Sequence, residues 1–373
     1  MKAFFQNYSQ TFKNIVANQS ILTTLILSVF FYSFFYPTAY QAEHAEFLPI
    51  VIVDEEQSDL SQRIITEVLK SPNIEVKQIT HNFLDAQHLV QQQQADGILL
   101  LPHNLSQSVA RGEVGGVGLY LSAAYFLRTK QIGVGIASSI ENAIQQQLEK
   151  FSHRTQFAAH IPVHQVPLFN VLSGYGSYIF PAVAPLIIHQ TIVLGLAMLI
   201  AGYREQNWQA TPAKFFGVFA ALLSIGCLGC CYLFGFTFWL YDYPRGGNFW
   251  GMLLAVPVFI SCVIGLGLLI ASFLDISERA GHLIVFTSIP LFLLTGVAWP
   301  HLAMPEWLQA LAAPLPSTQG VQLFIQLNQM GVPTALVFDK ILYLAGLAVI
   351  LLAWSYWRLS QPRKIPATQH KQL

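Results

Sequence analysis

One apolar run in the middle of the chain, within Pro167–Lys214, most constrains what this sequence can fold into. It extends over roughly 25 residues and stops at Arg204, where charge returns abruptly. An α-helix rises about 1.5 Å per residue, so a run of this length can cross the roughly 30 Å hydrocarbon core of a bilayer. The run therefore predicts a transmembrane helix.

The remainder of the chain supports a membrane protein. Hydrophobic residues make up 54% of the sequence and charged residues only 10%, whereas about a quarter of the residues in soluble domains are charged. We therefore predict an α-helical polytopic membrane protein. Hydropathy gives it six spans, which are Ile21–Tyr40, Tyr178–Tyr203, Phe215–Tyr241, Phe249–Leu274, Leu283–Trp299 and Ile341–Trp357.

Lysines and arginines are distributed unevenly around these spans. Long translocated domains escape the charge rule, so residues 41–170 are left out of this comparison. Among the remaining lysines and arginines, all but Arg245 in a short outer loop and Lys340 at the edge of the last span lie on one side if both termini are cytoplasmic. The side with more basic residues faces the cytoplasm, so we predict cytoplasmic termini and a cytoplasmic tail at residues 359–373. The residues on that side are Lys2, Lys13, Arg204, Lys214, Arg279, Arg358, Arg363, Lys364 and Lys371.

Residues 1–19 place apolar side chains at helical spacing among polar ones. This pattern predicts an amphipathic helix in the membrane interface, although an ordinary amphipathic helix remains an alternative. The apolar run that follows is too long for a secretory signal, and no small-residue cleavage site follows it. Residues 20–40 are therefore predicted to be an uncleaved first span.

Between residues 41 and 170 charges return, and strand-like patterns alternate with helix-like ones. Strands are predicted at Pro49–Asp54, Ile74–Ile79, Gly97–Leu101 and Val117–Ser122. Alternation of this kind predicts a small α/β domain with a mainly parallel sheet. It is inserted between spans 1 and 2, so it lies outside the cell in the predicted topology.

Spans 2–6 form a transmembrane domain over residues 171–358, which includes an unusual outer segment at 296–336. The prolines of this segment prevent one continuous helix, and its two tryptophans suit an interfacial position. It is predicted to form an outer plug or re-entrant hairpin, with a plain outer loop as the alternative. The residues proposed for an outer gate are Trp299, Pro300, Pro305 and Trp307.

Catalytic and nucleotide-binding motifs are absent from the sequence, so no enzyme activity is predicted. The carboxylates at Asp54–Glu56 are typical of a solvated loop before a helix. Cys227, Cys230 and Cys231 lie within an apolar helix and are predicted to be packing residues. Pro162 lies between His160 and His164 and disfavours a continuous helix there, so the two histidines are not predicted to bind a metal together on one helix. The chain is therefore predicted to bind no metal or cofactor of its own.

His189, Gln190 and Thr191 lie within the second span. Polar and ionisable residues in a span are costly and usually face an interior path. These three are therefore candidates for lining a substrate pathway. The alternative is a structural hydrogen bond between helices.

The order of the parts resembles the permease subunits of ATP-binding-cassette (ABC) exporters of the type-2, or type V, superfamily with a large external domain. Within the external domain the resemblance rests on PIVIVDEEQSDLSQRIITEVLKSPNIEVKQI, ADGILLLPHNL and LYLSAAYFLRTKQI. Nearer the membrane it rests on LFNVLSGYGSYIFPAVAPL and IPLFLLTGVAWPHLAMPEWLQALAAPLPSTQGVQLF. After the second span the family often has a longer charged segment, whereas this chain has only REQNWQATPAK.

This resemblance implies a half-transporter of the inner membrane that exports a drug, lipid or toxin. It implies cytoplasmic ATPase subunits that bind ATP and Mg²⁺, and a second permease copy or a sister permease. A periplasmic adaptor and an outer-membrane channel are further implied partners. Nucleic acid is excluded as a partner, since the formal net charge is zero and no basic patch is present.

The short loop after the second span is the predicted contact with the ATPase, because coupling needs a rigid element joined to moving helices. Its residues are Arg204, Glu205, Trp208 and Lys214. The alternative is that Arg204 and Lys214 only fix the orientation of the neighbouring spans in the membrane and do not contact an ATPase. A second class of function also stays open: a membrane-anchored binding or scaffold protein without transport.

Overall fold

A computed structural model of the chain describes residues 1–43, 45–111, 116–122, 126–151, 168–170, 174–274 and 278–362. The chain divides into two compact units. One is built from Met1–Gln41 and Val166–Leu373, and the other is Ala42–Gln165.

The smaller unit contains a four-stranded sheet of β1 (Leu48–Asp54), β2 (Ile74–Thr80), β3 (Gly97–Leu101) and β4 (Gly118–Leu121). The strand order is β2-β1-β3-β4. Strand β1 pairs parallel with β2 and β3, whereas β3 and β4 are antiparallel. The described part of the unit thus has the mainly parallel sheet that the alternating pattern predicts.

Four helices connect or follow these strands: α3 (Asp59–Lys70), α4 (Phe83–Gln91), α5 (Leu105–Ala110) and α6 (Phe126–Phe151). Strand β1 is buried on both faces, because successive side chains point to opposite sides of a sheet. On one face Ile50 and Ile52 pack with Ile64 of α3. On the other face Val51 and Val53 pack with Ala86 of α4. The strand is therefore covered by helices on both sides, which explains its unbroken apolar run.

The larger unit is helical. The helices numbered in order are α1 (Lys2–Ala17), α2 (Gln19–Ala39), α7 (Gly176–Glu205), α8 (Pro212–Leu240), α9 (Phe249–Ala271), α10 (Glu278–Leu294), α11 (Glu306–Ala312), α12 (Pro316–Phe324) and α13 (Thr334–Ser360). Within the described residues, five of them are long and apolar enough to cross a membrane: α2, α7, α8, α9 and α13.

The predicted fifth span corresponds to α10, which has 17 residues and is shorter than the five candidate spans. It ends at Leu294, five positions before the predicted end at Trp299. Gly296 has a φ of 84°, in the left-handed region that ends many helices. A helix therefore does not continue into the outer segment, and six spans remain a prediction.

Helix α7 is the centre of the larger unit. The most hydrophobic window of α7 is 83% buried, compared with 28% in α2 and α13. It packs against α9, α8, α10, α12 and α2. Because helices surround most of α7, a polar side chain in its middle points into protein or into a cavity between helices.

The N-terminal helix α1 packs along α8. Ile15 and Thr11 are buried, and the hydroxyl oxygens of Tyr8 and Ser224 are 3.2 Å apart. The side-chain amide of Asn14 also donates to the Tyr203 hydroxyl at 2.8 Å. One face of α1 is thus fixed to the helical unit, while Phe5 and Val16 stay exposed. A location in the membrane interface remains a prediction.

Candidate functional site

Helix α7 carries two adjacent polar side chains without hydrogen-bond partners in the described structure. His189 is 1% exposed, and neither of its ring nitrogens has a partner. Both amide atoms of Gln190 are likewise buried and unpaired. No hydrogen bond of the structural kind considered as an alternative is present for His189 or Gln190 among the described residues. Buried polar groups without partners cost free energy, so a ligand or ordered water is expected beside them.

A cavity of about 480 Å³ lies between α2, α7 and α10. Gln190 and Thr191 line it, together with apolar side chains of α7 such as Ile179 and Leu186. His189 is not among its lining residues. Of the three residues predicted for a pathway, the structure thus places two at the same cavity and one in the packed interior.

The opposite wall of this cavity is one face of α2. It presents a hydroxyl-bearing side chain at every fourth position, so the residues share one side of the helix. The repeat is visible in the sequence as a spacing of four within the first span, but its members are not among the predicted site residues. Its members are Thr24, Ser28, Tyr32 and Tyr36 of α2 and Tyr40, the residue directly after the helix.

The residues predicted to contact an ATPase lie at the end of α7 and just after it. Arg204 donates from its guanidinium to the backbone carbonyl of Ser272, the residue that follows α9. Arg358, in the last turn of α13, donates from Nε to the Ser272 hydroxyl at 3.0 Å. The guanidinium of Arg358 also lies 3.8 Å from the centre of the Phe273 ring. Ser272 thus joins the ends of three helices.

The rest of this loop is also held by the helical unit. The Trp208 and Tyr203 rings lie 5.7 Å apart between centroids, and the Lys214 ammonium is 5.9 Å from the Trp208 ring centre. The backbone N–H of Ala210 donates to the Leu359 carbonyl at 3.0 Å. Trp208 is half-buried, whereas Glu205 is exposed. The loop is thus a compact element with an exposed carboxylate at its start.

The outer segment contains two short helices, α11 and α12. Pro300 precedes a 3₁₀ turn, Pro305 precedes α11, and both Trp299 and Trp307 are mostly exposed. Helix α12 is buried in the unit instead. Its Phe324 ring lies 5.1 Å from the ring of Phe259 in α9. Whether the segment re-enters a membrane stays a prediction.

The carboxylates at the end of β1 are bound within the smaller unit. Asp54 is buried and accepts hydrogen bonds from Gln57, Ser61 and Gln62. Glu56 accepts from the backbone and side chain of Ser106 at 2.7 and 2.8 Å, and from Ser58 at 2.5 Å. Desolvation raises the pKa of Glu56, but these hydrogen bonds outweigh it, so the net pKa is below the ordinary 4.5. These side chains hold loops together.

No group of three or more metal-binding side chains is assembled among the described residues. Cys227, Cys230 and Cys231 lie on α8 as free thiols. His160 and His164 lie outside the described residues.

Five long apolar helices within the described residues, packed against one another, define the class of multi-pass helical membrane proteins. The sequence profile of the ABC-2 family transporter proteins matches residues 19–357, so the chain belongs to this family. No curated protein matches the chain. The family comprises transmembrane permease components of ABC transporters, which generally lack an ATPase site of their own. Membership therefore implies an ATPase partner.

Proposed function

We propose that this chain is the permease subunit of an ATP-driven exporter in the inner membrane, which moves an amphipathic or hydrophobic substrate outward. The cavity between α2, α7 and α10 carries this proposal. Its walls are mostly apolar, and Gln190, whose buried amide has no partner among the described residues, is one of the lining residues. Binding sites of small molecules are commonly cavities of this kind, apolar with a few polar groups.

In this proposal a separate chain hydrolyses the ATP that drives transport, since the present sequence has no phosphate-binding loop motif. ATP and Mg²⁺ bind to two cytoplasmic ATPase subunits. A second permease, either another copy or a sister chain, completes the pathway. The smaller α/β unit faces the periplasm and contacts an adaptor that leads to an outer-membrane channel.

Coupling runs through the loop at Arg204–Lys214. The contacts of Arg204 and Arg358 with Ser272 join this loop to α9 and α13 as well as α7. A displacement of the loop by an ATPase therefore acts on three helices together. Glu205 supplies an exposed charge for the contact, and Trp208 holds the loop in shape through Tyr203.

Purification of the tagged full chain from its native membrane in mild detergent tests the proposal. We expect an ATPase with phosphate-binding motifs to copurify in stoichiometric amount. A Gln190→Leu variant should retain the ATPase but lose substrate-stimulated ATP hydrolysis, because Gln190 lies in the cavity and not at the loop.

Isolation of the intact chain without any ATPase would contradict the proposal. It would favour the membrane-anchored binding or scaffold protein instead. Ser360→Ala is a suitable control, since its hydroxyl bonds only to the nearby Trp357 carbonyl at an exposed site.

A further inference from the structure

The hydroxyl stripe of α2, defined as Thr24, Ser28, Tyr32, Tyr36 and Tyr40, is the most unusual feature of the cavity. Sixteen residues separate its ends, which corresponds to about 24 Å along a helix. That distance is most of the roughly 30 Å thickness of a hydrocarbon core. The stripe therefore offers hydrogen-bonding groups along most of a membrane crossing.

The tyrosine hydroxyls of the stripe are available to a ligand. Tyr32, Tyr36 and Tyr40 make ring contacts, with Tyr32 against Tyr36 at 5.8 Å and Tyr40 against Tyr175 at 5.1 Å. Their hydroxyl groups form no hydrogen bond within the described residues. Each is half-buried. On the opposite wall Gln190 and Thr191 of α7 line the cavity, and the Gln190 amide is buried and has no hydrogen-bond partner among the described residues.

An apolar groove lies beside the stripe on the same helix. Phe31, Phe34 and Phe35 line this second space, which has a volume of about 420 Å³. Phe31 and Phe35 immediately precede Tyr32 and Tyr36, so they lie about 100° round the helix from the stripe. The side chains Phe31 and Phe35 are more than half exposed. Helix α2 thus presents a polar face and a phenylalanine face next to each other.

Charge restricts what can occupy these two spaces. Among the described residues, neither space is lined by an aspartate, glutamate, lysine, arginine or histidine. A charged group moved along the stripe would find no counter-ion, which is costly in a low-dielectric environment. Hydroxyls and an amide are suitable partners for an uncharged group that both donates and accepts hydrogen bonds.

We propose that the occupant is a membrane lipid with an uncharged, sugar-like headgroup. The headgroup exchanges hydrogen bonds with successive members of the stripe and with Gln190. The acyl chains stay against Phe31, Phe34 and Phe35 and in the surrounding lipid. This inference names a substrate class and so rests on the proposed function, but lipid binding itself requires no ATPase.

Native mass spectrometry of the purified full chain tests the inference. The probes are monoglucosyl diacylglycerol and phosphatidylglycerol with identical acyl chains, which differ in the charge and the chemistry of the headgroup. We expect the glucosyl lipid to bind at least about tenfold more tightly. A Tyr32→Phe/Tyr36→Phe double variant should lose about tenfold in affinity, since it removes two hydrogen bonds and keeps both rings.

Tyr356→Phe is the matched control. Tyr356 lies on α13 and contacts the Phe215 ring, but it does not line the cavity. Its substitution should leave lipid affinity unchanged. Equal binding of both lipids, or an unaltered affinity of the double variant, would overturn the inference.

A second copy of the chain is the competing occupant of this face. If it covers the stripe, the Tyr36→Cys variant should form a crosslinked dimer in the membrane, and the glucosyl lipid should not bind. That result would also overturn the inference. Copurification of an ATPase is measured in a separate experiment. A failure of lipid binding therefore does not contradict the proposed function, and lipid binding without a copurified ATPase contradicts the proposed function alone.

Discussion

Arg358 donates from its Nε to the hydroxyl of Ser272, 86 positions earlier in the chain, at 3.0 Å. The carbonyl of the same serine accepts from Arg204. Carbonyls at the C-terminal end of a helix have no partner within the helix and carry partial negative charge. Arg204 therefore satisfies a carbonyl at the end of α9, Arg358 binds the serine hydroxyl at the same place, and together they fix α7 and α13 to that end.

Substitution of Ser272 by alanine should destabilise the protein. The change removes the acceptor of Arg358 and leaves the carbonyl that binds Arg204. A hydrogen bond to a charged group contributes about 1.5–3 kcal/mol, and Ser272 is buried. We expect a lower midpoint of thermal unfolding in detergent, with Ser360→Ala as the unaffected control. An equal midpoint for both variants would show that the contact contributes nothing.

Alanine at Gly320 should disturb the packing of α12. A Cβ at this position would overlap the ring of Phe259, which is fully buried in α9. Overpacking of this kind costs about 1–3 kcal/mol. The control is Gly346→Ala in α13, where a Cβ meets nothing within 4 Å. We expect the midpoint temperature of thermal unfolding in detergent to fall for Gly320→Ala and to stay unchanged for Gly346→Ala. Equal midpoints for the two variants would show that α12 does not pack against Phe259.

Cysteine labelling tests the predicted topology. Cysteines at Asp59 and Gln107 should react with a membrane-impermeant reagent added outside intact cells, and one at Gln206 should not. All three positions are exposed in the structure, so burial does not explain a failure to react. The background is a variant in which the four native cysteines are replaced by alanine. The opposite labelling pattern would reverse the orientation of the chain.

Removing the exposed charge and the aromatic support of the loop should uncouple transport. We expect Glu205→Ala with Trp208→Ala to lower ATP hydrolysis by the assembled complex several-fold, since Trp208 shapes the loop through Tyr203 and Lys214. Membrane insertion should stay normal. Glu205→Ala alone leaves the ring contacts intact and separates the role of the charge. Normal hydrolysis and copurification in the double variant would exclude this contact.

Protonation of Glu56 should loosen the loop that it joins to Ser106. Because its pKa is lowered in the folded state, its contribution is complete above the ordinary value of 4.5 and is lost as the pH falls through the lowered pKa. Hydrogen exchange of residues 56–68 in the full chain should therefore increase at acidic pH beyond the intrinsic change. Glu56→Gln should remove this extra dependence, and Glu75→Gln should not. An identical profile for wild type and Glu56→Gln would contradict the argument.

The sequence by itself determined the helices that can cross a membrane and the alternation of strands and helices in the smaller unit. The predicted span Phe249–Leu274 and the helix Phe249–Ala271 begin at the same residue. The two agree because hydropathy and periodicity depend only on residues within one turn or one span, which lie close together in the sequence. The end of α10 was missed, because Gly296 stops the helix while the apolar run continues.

Only the tertiary structure decided which residues meet. It separated His189 from the cavity that Gln190 and Thr191 line, although the three are adjacent in sequence. It brought Arg204 to Ser272 and set the hydroxyl stripe of α2 opposite α7. Such contacts join residues that are far apart in the chain, and they depend on how whole helices pack. No local pattern encodes that packing, so neighbours along one helix differ in their surroundings while distant residues share a site.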